Sequence, residues 1–441
     1  MTKLPATTSF RLPPSSFPQV PLAVPYWNGA TYRAILRSFL SGAVIDGPDL
    51  CALKDALIER LGVVDAVVCG SGSLALELGL RVCGVKPGDE VIIPAFCCSA
   101  VVPPILALGA VPVLADVGEE LNLTMETADA AITRKTKAII VPHLFGNPAE
   151  IDSIVEIARA KNIGVIDDAA QALGATLDGR RVGSFGDVGI VSFGNEKVCF
   201  GLGGGVLLAN RTGLISEFAR DLPQPQVWPV LTKLAAAQFY RRWRRWTLPL
   251  QAMLSKAKDG GLDALPEPYR NETLANLQAT VALSLMQTSV ENLAARRARV
   301  NAYRELLGDE AELELELIPH RAGSACLTQV VRVPSKKRGH DAASALIAAL
   351  GEQGFEVQGS YVPIHLLGYF KGCVWDALPH TGRVWADLVE LPCAPGVSLT
   401  DVARVASVVK LFCRGISRSH PCHSKTIVST RSGGSCYPFD R

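Results

Sequence analysis

The sequence predicts an α/β fold: a large domain on a mostly parallel, mixed β-sheet between helices, then a smaller carboxyl-terminal α/β domain. Three observations carry this expectation. From about residue 50 to 210, short Val- and Ile-rich runs alternate with amphipathic stretches, the pattern of a sheet covered by helices on both faces. Two further apolar runs, GIVSF and GVLLAN, follow each other without a long helix between them, so the sheet is mixed. From about residue 273 a long helical pattern opens a second set of elements.

The strand-like runs in the first region are DAVVC, EVIIP, VPVLAD, KAIIVPH and GVIDD, short and β-branched. Between them SLALELGLRVCG, SAVVPPILALGA and AEIDSIVEIARAKN read as helices. Residues 220–265 break the rhythm with an insertion that mixes basic and aromatic residues. Beyond it LANLQATVALSLMQTSVENLAARRARVNAYRELL reads as a long linking helix. LTQVVRVP is a strand, DAASALIAALGEQG a helix and SLTDVARVASVVKLF a closing helix. The expected division is therefore a flexible arm over residues 1–22, a large domain over 23–265, a small domain with its linking helix over 266–415, and a disordered tail over 416–441.

Composition narrows the function classes. With 48% hydrophobic and 20% charged residues the chain is ordinary for a soluble enzyme, and a net charge of +2 argues against a nucleic-acid partner. No apolar run reaches the roughly 18 residues of a membrane span. The Pro- and Ser-rich amino terminus has no apolar core of secretory type, so the expected location is the cytoplasm. The 12 cysteines are scattered, several inside apolar runs, and read as reduced, buried thiols. His420, Cys422 and His423 crowd together in the polar tail, but no metal site is expected.

Three stretches carry candidate chemistry, and in such sheets ligands gather at the carboxyl ends of strands. In VVCGSGSLAL a strand runs into Gly70, Ser71, Gly72 and Ser73 at a helix amino terminus, where free amides and hydroxyls suit a phosphate. A plain helix cap would explain one serine but not the whole turn. In GVIDDAAQALGA a buried strand ends in Asp167 and Asp168 and is followed by Gln171. These carboxylates could cap the next helix. A fixed anion within about 4–6 Å would also raise the proton affinity of a pyridine nitrogen by roughly one to three units. In GIVSFGNEKVCFGLGGGVLLAN, Lys197 stands five residues after Ser192 and ahead of Gly201, Gly203, Gly204 and Gly205. Read alone, this could be a surface loop with a solvated lysine.

Taken in order, these stretches give a phosphate turn, a carboxylate at a strand end, and a Ser-x4-Lys before glycines. That order resembles the sugar aminotransferases of the DegT/DnrJ/EryC1/StrS family, which are fold type I pyridoxal-phosphate enzymes. The resemblance runs from about residue 24 to 413 and includes SGAVIDGPDL, KPGDEVIIPAF, GAVPVLADV, TKAIIVPHLFGNP, YVPIHLLGYF and ELPCAPGVSLTD. It implies pyridoxal 5'-phosphate as cofactor, with Lys197 forming the Schiff base and Asp168 pairing with the pyridine nitrogen. Gln171 would lie near the ring's phenolic oxygen, and Gly72, Ser73 and Ser192 would hold the phosphate. Asn271 falls where the family places a phosphate-binding Asn from the partner subunit, which implies a homodimer.

Three positions depart from the family pattern. The aromatic residue that stacks on the cofactor, four residues after the strand-closing Pro94, is Cys98 here, with Phe96 two residues earlier. The Gly-Glu-Gly-Gly after the lysine reads Leu202, Gly203, Gly204, Gly205. The Arg two residues after the partner Asn is Thr273.

The resemblance implies transfer of an amino group from glutamate to a keto-sugar, nucleotide-linked, with Lys197 carrying the proton. Lysine suits both tasks because its amine is nucleophilic when neutral. Two other readings stay open. Relatives without the lysine run a sugar dehydration, which the presence of Lys197 disfavours; a non-catalytic sensor or scaffold on the same fold is the other. Within residues 226–254, Arg241, Arg242, Arg244 and Arg245 interleave with Tyr240, Trp243 and Trp246, a mix suited to a membrane surface. The alternative is a helical insertion that packs on its own domain or on a dimer partner.

Overall fold

A computed structural model describes residues 20–23, 26–194, 196–219, 222–239, 269, 271–308, 313–333, 342–368, 370 and 372–415. The first sheet is built from strands β1 (Asp65–Cys69), β2 (Glu90–Pro94), β3 (Val111–Ala115), β4 (Thr136–Pro142), β5 (Gly164–Asp168), β8 (Val188–Ser192) and β9 (Gly205–Ala209). Between β5 and β8 lies a short hairpin, β6 (Thr176–Leu177) with β7 (Arg180–Arg181). A further strand, β13 (Val374–Trp375), joins its edge, so that the order is β1-β9-β8-β5-β4-β2-β3-β13. All pairs are parallel except those of β9, which is antiparallel to both β1 and β8. The sheet is mixed for the reason expected: β8 and β9 follow each other without an intervening helix, and a short return can only run antiparallel.

Both faces of this sheet are buried, and strand alternation sorts the side chains. On β4, Ile140 faces one core with α3 (Gly72–Val82) and α4 (Val102–Ala107), while Ile139 and Val141 face the other with α6 (Ile151–Ala160). Helix α3 lies close on the strands because Gly79 presents no side chain: a Cβ there would stand 3.2 Å from Val188 and 3.4 Å from Ile166. Helices α1 (Gly29–Leu40) and α2 (Asp49–Leu61) pack with α8 (Asn276–Gln287) below β1 and β9 through Leu53, Leu57, Leu277 and Val281. α5 (Met125–Ala130) lies beside α6, and residues 227–239 form α7.

The second sheet is antiparallel, in the order β10-β11-β14-β12, from β10 (Glu316–Leu317), β11 (Gln329–Arg332), β12 (Gln358–Gly359) and β14 (Leu388–Leu391). It packs on α9 (Ser289–Leu307), α10 (Ala342–Glu352) and α12 (Leu399–Cys413); α11 (Pro379–Val384) is a short connector. The expected single linking helix is two helices, with a break at Thr288. The packing also moves the expected boundary at 265/266. α8, on the far side of it, is buried under the first sheet, and the second unit begins with α9. β13, from the second half of the chain, belongs to the first sheet. Val20 forms a bridge to Phe355, and the Leu22 amide donates to Glu356 at 2.8 Å, so the last residues of the expected arm are tied to the second unit.

No described helix is long and apolar enough to cross a membrane. The described cysteines are unpaired thiols; burial pushes Cys69 and Cys393 up to about 12, as for small core hydrophobes. His420, Cys422, His423 and the 416–441 tail lie outside the described residues.

Candidate active site

The strand order brings the candidate residues to one edge. β1, β8 and β5 end side by side at their carboxyl termini, with the start of β9 between β1 and β8. This places the Gly-Ser turn, Ser192 and Asp168 in one row. Ser71 is the ordinary cap of α3, its hydroxyl accepting from the Leu74 amide at 3.1 Å. That accounts for one serine of the turn and leaves Gly72 and Ser73. A Cβ on Gly72 would lie 3.3 Å from Ser192 Oγ, so the turn and the serine share one small space. Ser192 Oγ accepts from the Gly194 amide at 3.3 Å, and the Ser73 hydroxyl donates to the Ala100 carbonyl at 3.4 Å.

The adjacent carboxylates point to opposite sides of β5, as alternation requires. Asp167 faces inward: it binds the His143 ring at 2.7 Å and accepts from the Phe185 amide at 2.8 Å. The tautomer of His143 follows from its other nitrogen, which accepts from the Ala149 amide at 2.9 Å; Nε2 therefore carries the hydrogen and donates to Asp167. Asp168 is buried on the other side and accepts from the Ala170 amide at 3.0 Å. Burial pushes its carboxyl up, and the hydrogen bond from the Ala170 amide and the charge of nearby Lys197 offset part of this. A buried carboxylate of this kind suits a cationic ring nitrogen.

Lys197 is half-buried on the loop between β8 and β9, directly after Glu196, which holds φ +62°. That conformation costs a non-glycine residue about 1–2 kcal/mol, and the loop persists because other groups clamp it. Asn292 on α9 donates to the Val198 carbonyl at 3.1 Å, and Arg296, itself buried, donates to Asn292 at 2.8 Å and to the Leu327 carbonyl at 2.9 Å. Trp27 donates to the Phe200 carbonyl at 3.1 Å, and Gln278 to that of Leu202 at 2.8 Å. The glycines that follow are packing requirements rather than slack. A Cβ on Gly205 would stand 2.6 Å from the Gly72 nitrogen, and one on Gly204 would strike Leu274 at 2.2 Å. At Gly203, where the resemblance led us to expect Glu, the nearest atom to a Cβ is Lys233 Nζ of α7, at 3.5 Å.

The segment after β12 closes the site from the second unit. The Ile364 amide donates to the Ala95 carbonyl at 2.8 Å, which seats Tyr361 against Phe96 (edge-on, 6.1 Å) and Phe145 (stacked, 6.0 Å). Gln171 is fixed from both ends: its oxygen accepts from the Phe145 amide at 3.0 Å and its nitrogen donates to Tyr361 at 3.1 Å. Phe96 is fully enclosed, so its ring does not stand in for the aromatic residue absent at Cys98, which is half-buried at the start of a 3-10 turn. Thr273 donates to the Val68 carbonyl at 3.3 Å. Asn271 is exposed and does not cap α8, whose cap is Ala275; the neighbouring Glu272 carbonyl accepts from Gly70 at 2.7 Å.

Sequence reading passed over His143, Tyr361 and Glu390. His143 closes the run KAIIVPH, and only its buried neighbours mark it out. Glu390 on β14 is buried beside Gln358, Ser360 and the charge of Glu196, and burial raises its pKa from the usual 4.5 to about 7. Between those values the folded chain binds a proton that the unfolded chain does not, so stability falls as pH rises from about 4.5 to 7. Glu390→Gln should therefore stabilise the fold by up to roughly 3 kcal/mol at pH near 8 and by almost nothing near pH 4. Urea unfolding at both pH values checks this; an equal effect at both would refute it.

The family model for the DegT/DnrJ/EryC1/StrS aminotransferase family matches residues 29–410. The chain belongs to this family. It is a pyridoxal-phosphate-dependent transaminase with the fold type I architecture. Among its relatives, the GDP-perosamine synthase of Caulobacter vibrioides is 27% identical over 400 residues, 90% of this chain and 98% of that protein. The UDP-N-acetyl-3-dehydro-alpha-D-glucosamine 3-aminotransferase of Acidithiobacillus ferrooxidans is 40% identical over 178 residues, 40% of this chain and 48% of that one. The crystal structure of a family aminotransferase from Brucella abortus superposes with a TM-score of 0.68 at 26% identity, over 88% of this chain and 95% of that one.

Proposed function

We propose that this aminotransferase moves an amino group from glutamate to the keto group of a nucleotide-linked sugar, in the cytoplasm and as a homodimer. The observation that carries the reading is that buried Asp168 and the closely approaching Gly72 and Ser192 stand at adjacent strand ends, with Lys197 on the loop beside Asp168. Pyridoxal phosphate, when bound, supplies the electron sink that stabilises negative charge at the donor's α-carbon. Gly72, Ser73 and Ser192 offer an amide and two hydroxyls to its phosphate at the amino terminus of α3. Asp168 would pair with the ring nitrogen and keep it protonated. Gln171, clamped between Phe145 and Tyr361, would lie near the ring's phenolic oxygen. Lys197 would hold the cofactor through Nζ, and its amine, when free and neutral, would serve as the acid–base group for the donor's α-proton. Since Lys197 is present, transamination is favoured over the lysine-free dehydration.

A mass-spectrometric screen of nucleotide-linked keto-sugars with glutamate as donor tests this. Formation of an amino sugar with loss of the keto oxygen is the expected result; no product across the set, while the cofactor's visible band also ignores glutamate, would leave a scaffold as the better reading.

The dimer is tested by mixing. Lys197→Ala and Asn271→Ala should each impair activity as pure dimers. If Asn271 completes the partner's site, a mixed dimer gathers both lesions in one site, and activity should recover to about half per mixed dimer. If Asn271 serves its own subunit nothing recovers, and a monomer by light scattering would refute the shared site directly.

A further inference from the structure

The outer face of α1 is apolar and cationic. Tyr32, Leu36 and Leu40 follow each other at the four-residue spacing of one helical stripe, with Arg33 and Arg37 beside them. Leu36 is 56% and Leu40 81% exposed, and α1 contains no Asp or Glu. With Ser41, these leucines and arginines line a shallow depression. Arg37 reaches Asp49 at 2.8 Å yet leaves 64% of its side chain in solvent.

α7 lies alongside. Tyr32 donates to Gln238 at 3.1 Å, and Val230 is buried in the core with Leu231 and Leu234 packed against it, so this part of the insertion packs on its own unit. Its other side exposes Trp228 (76%) and Phe239 (53%), and it too carries no carboxylate. Residues 240–254, with the arginines and tryptophans noted in the sequence, lie outside the described residues.

We propose that the joint face of α1 and α7 docks on an anionic lipid bilayer, with Leu36, Leu40 and Trp228 at the headgroup–acyl boundary and Arg33 and Arg37 on lipid phosphates. Charge decides the occupant. Neither α1 nor the described part of α7 carries a carboxylate, and Arg33, with Arg37 exchanging Asp49 for a lipid phosphate, matches a uniformly negative surface; each arginine so placed contributes up to roughly fivefold in partitioning. Their long apolar stems let the guanidinium reach the headgroups while the leucines sink deeper. A second copy packed α1 to α1 about a two-fold axis would instead bring like arginines together.

The test is co-sedimentation of the full-length holoenzyme with vesicles of phosphatidylglycerol and phosphatidylcholine, against phosphatidylcholine alone. Wild type should pellet with the anionic vesicles at low salt and be released at high salt. L36E/L40E and W228E, all at exposed positions, should each lose at least roughly tenfold in partitioning with melting temperature and transaminase rate unchanged. Wild type that stays in the supernatant would overturn the proposal. So would variants that pellet like wild type, or an L36E/L40E change that splits a dimer while vesicle binding persists.

Discussion

Lys197→Ala should abolish transamination while the chain folds as before. The acid–base task alone is worth roughly 10²–10⁴-fold, and the covalent hold on the cofactor is lost with it. The fold should survive because the loop is clamped through backbone groups, the carbonyls of Val198, Phe200 and Leu202, and not through the lysine side chain. Single-turnover assays with glutamate and the visible absorbance of the bound cofactor are the measurements. A variant that transaminates near the wild-type rate would remove Lys197 from the centre of the site. A variant that is inactive but also melts early would point to the clamp, and Lys197→Arg, which keeps charge and bulk, separates the two: it should be as inactive as the alanine variant with wild-type melting.

Asp168→Asn should slow abstraction of the donor's α-proton by roughly 10–10³-fold, the one to three pKa units that a buried anion lends a neighbouring cation. Cofactor binding should persist. Asparagine keeps an oxygen where Oδ1 accepts from the Ala170 amide, so the turn after β5 is preserved. The readouts are single-turnover rates with ordinary and α-deuterated glutamate, together with the cofactor's spectrum. Proton abstraction should become more fully rate-limiting, and the isotope effect should rise. Unchanged single-turnover kinetics would refute the role. Asp167→Asn is the informative contrast. Asp167 holds His143 and the Phe185 amide on the opposite face, so its loss should lower stability rather than change the isotope effect.

The fold was legible in the sequence because its strands are short, β-branched and buried on both sides, so burial and propensity agree residue by residue. DAVVC, EVIIP and GVIDD are strands over the residues read. The mixed character of the sheet was legible from the missing helix between GIVSF and GVLLAN. Of the site, the motifs gave residue types and their order along the chain, and family membership followed from that order. The break at Thr288 was not legible, since apolar spacing continues across it and only the different partners of α8 and α9 separate them.

What tertiary structure alone decided is which side of each element faces the site. Asp167 and Asp168 are chemically identical neighbours, and the pleat of β5 sends one to His143 and the other toward Lys197. Of Ser71 and Ser73, one caps α3 and the other turns its hydroxyl to the Ala100 carbonyl. The clamps on Gln171 and on the lysine loop come from Tyr361, Asn292 and Arg296, the direct contacts spanning 94 and 190 residues in sequence. Sequence patterns report local backbone preference and burial. Contacts between distant segments depend on how the two sheets dock, and no local pattern encodes that.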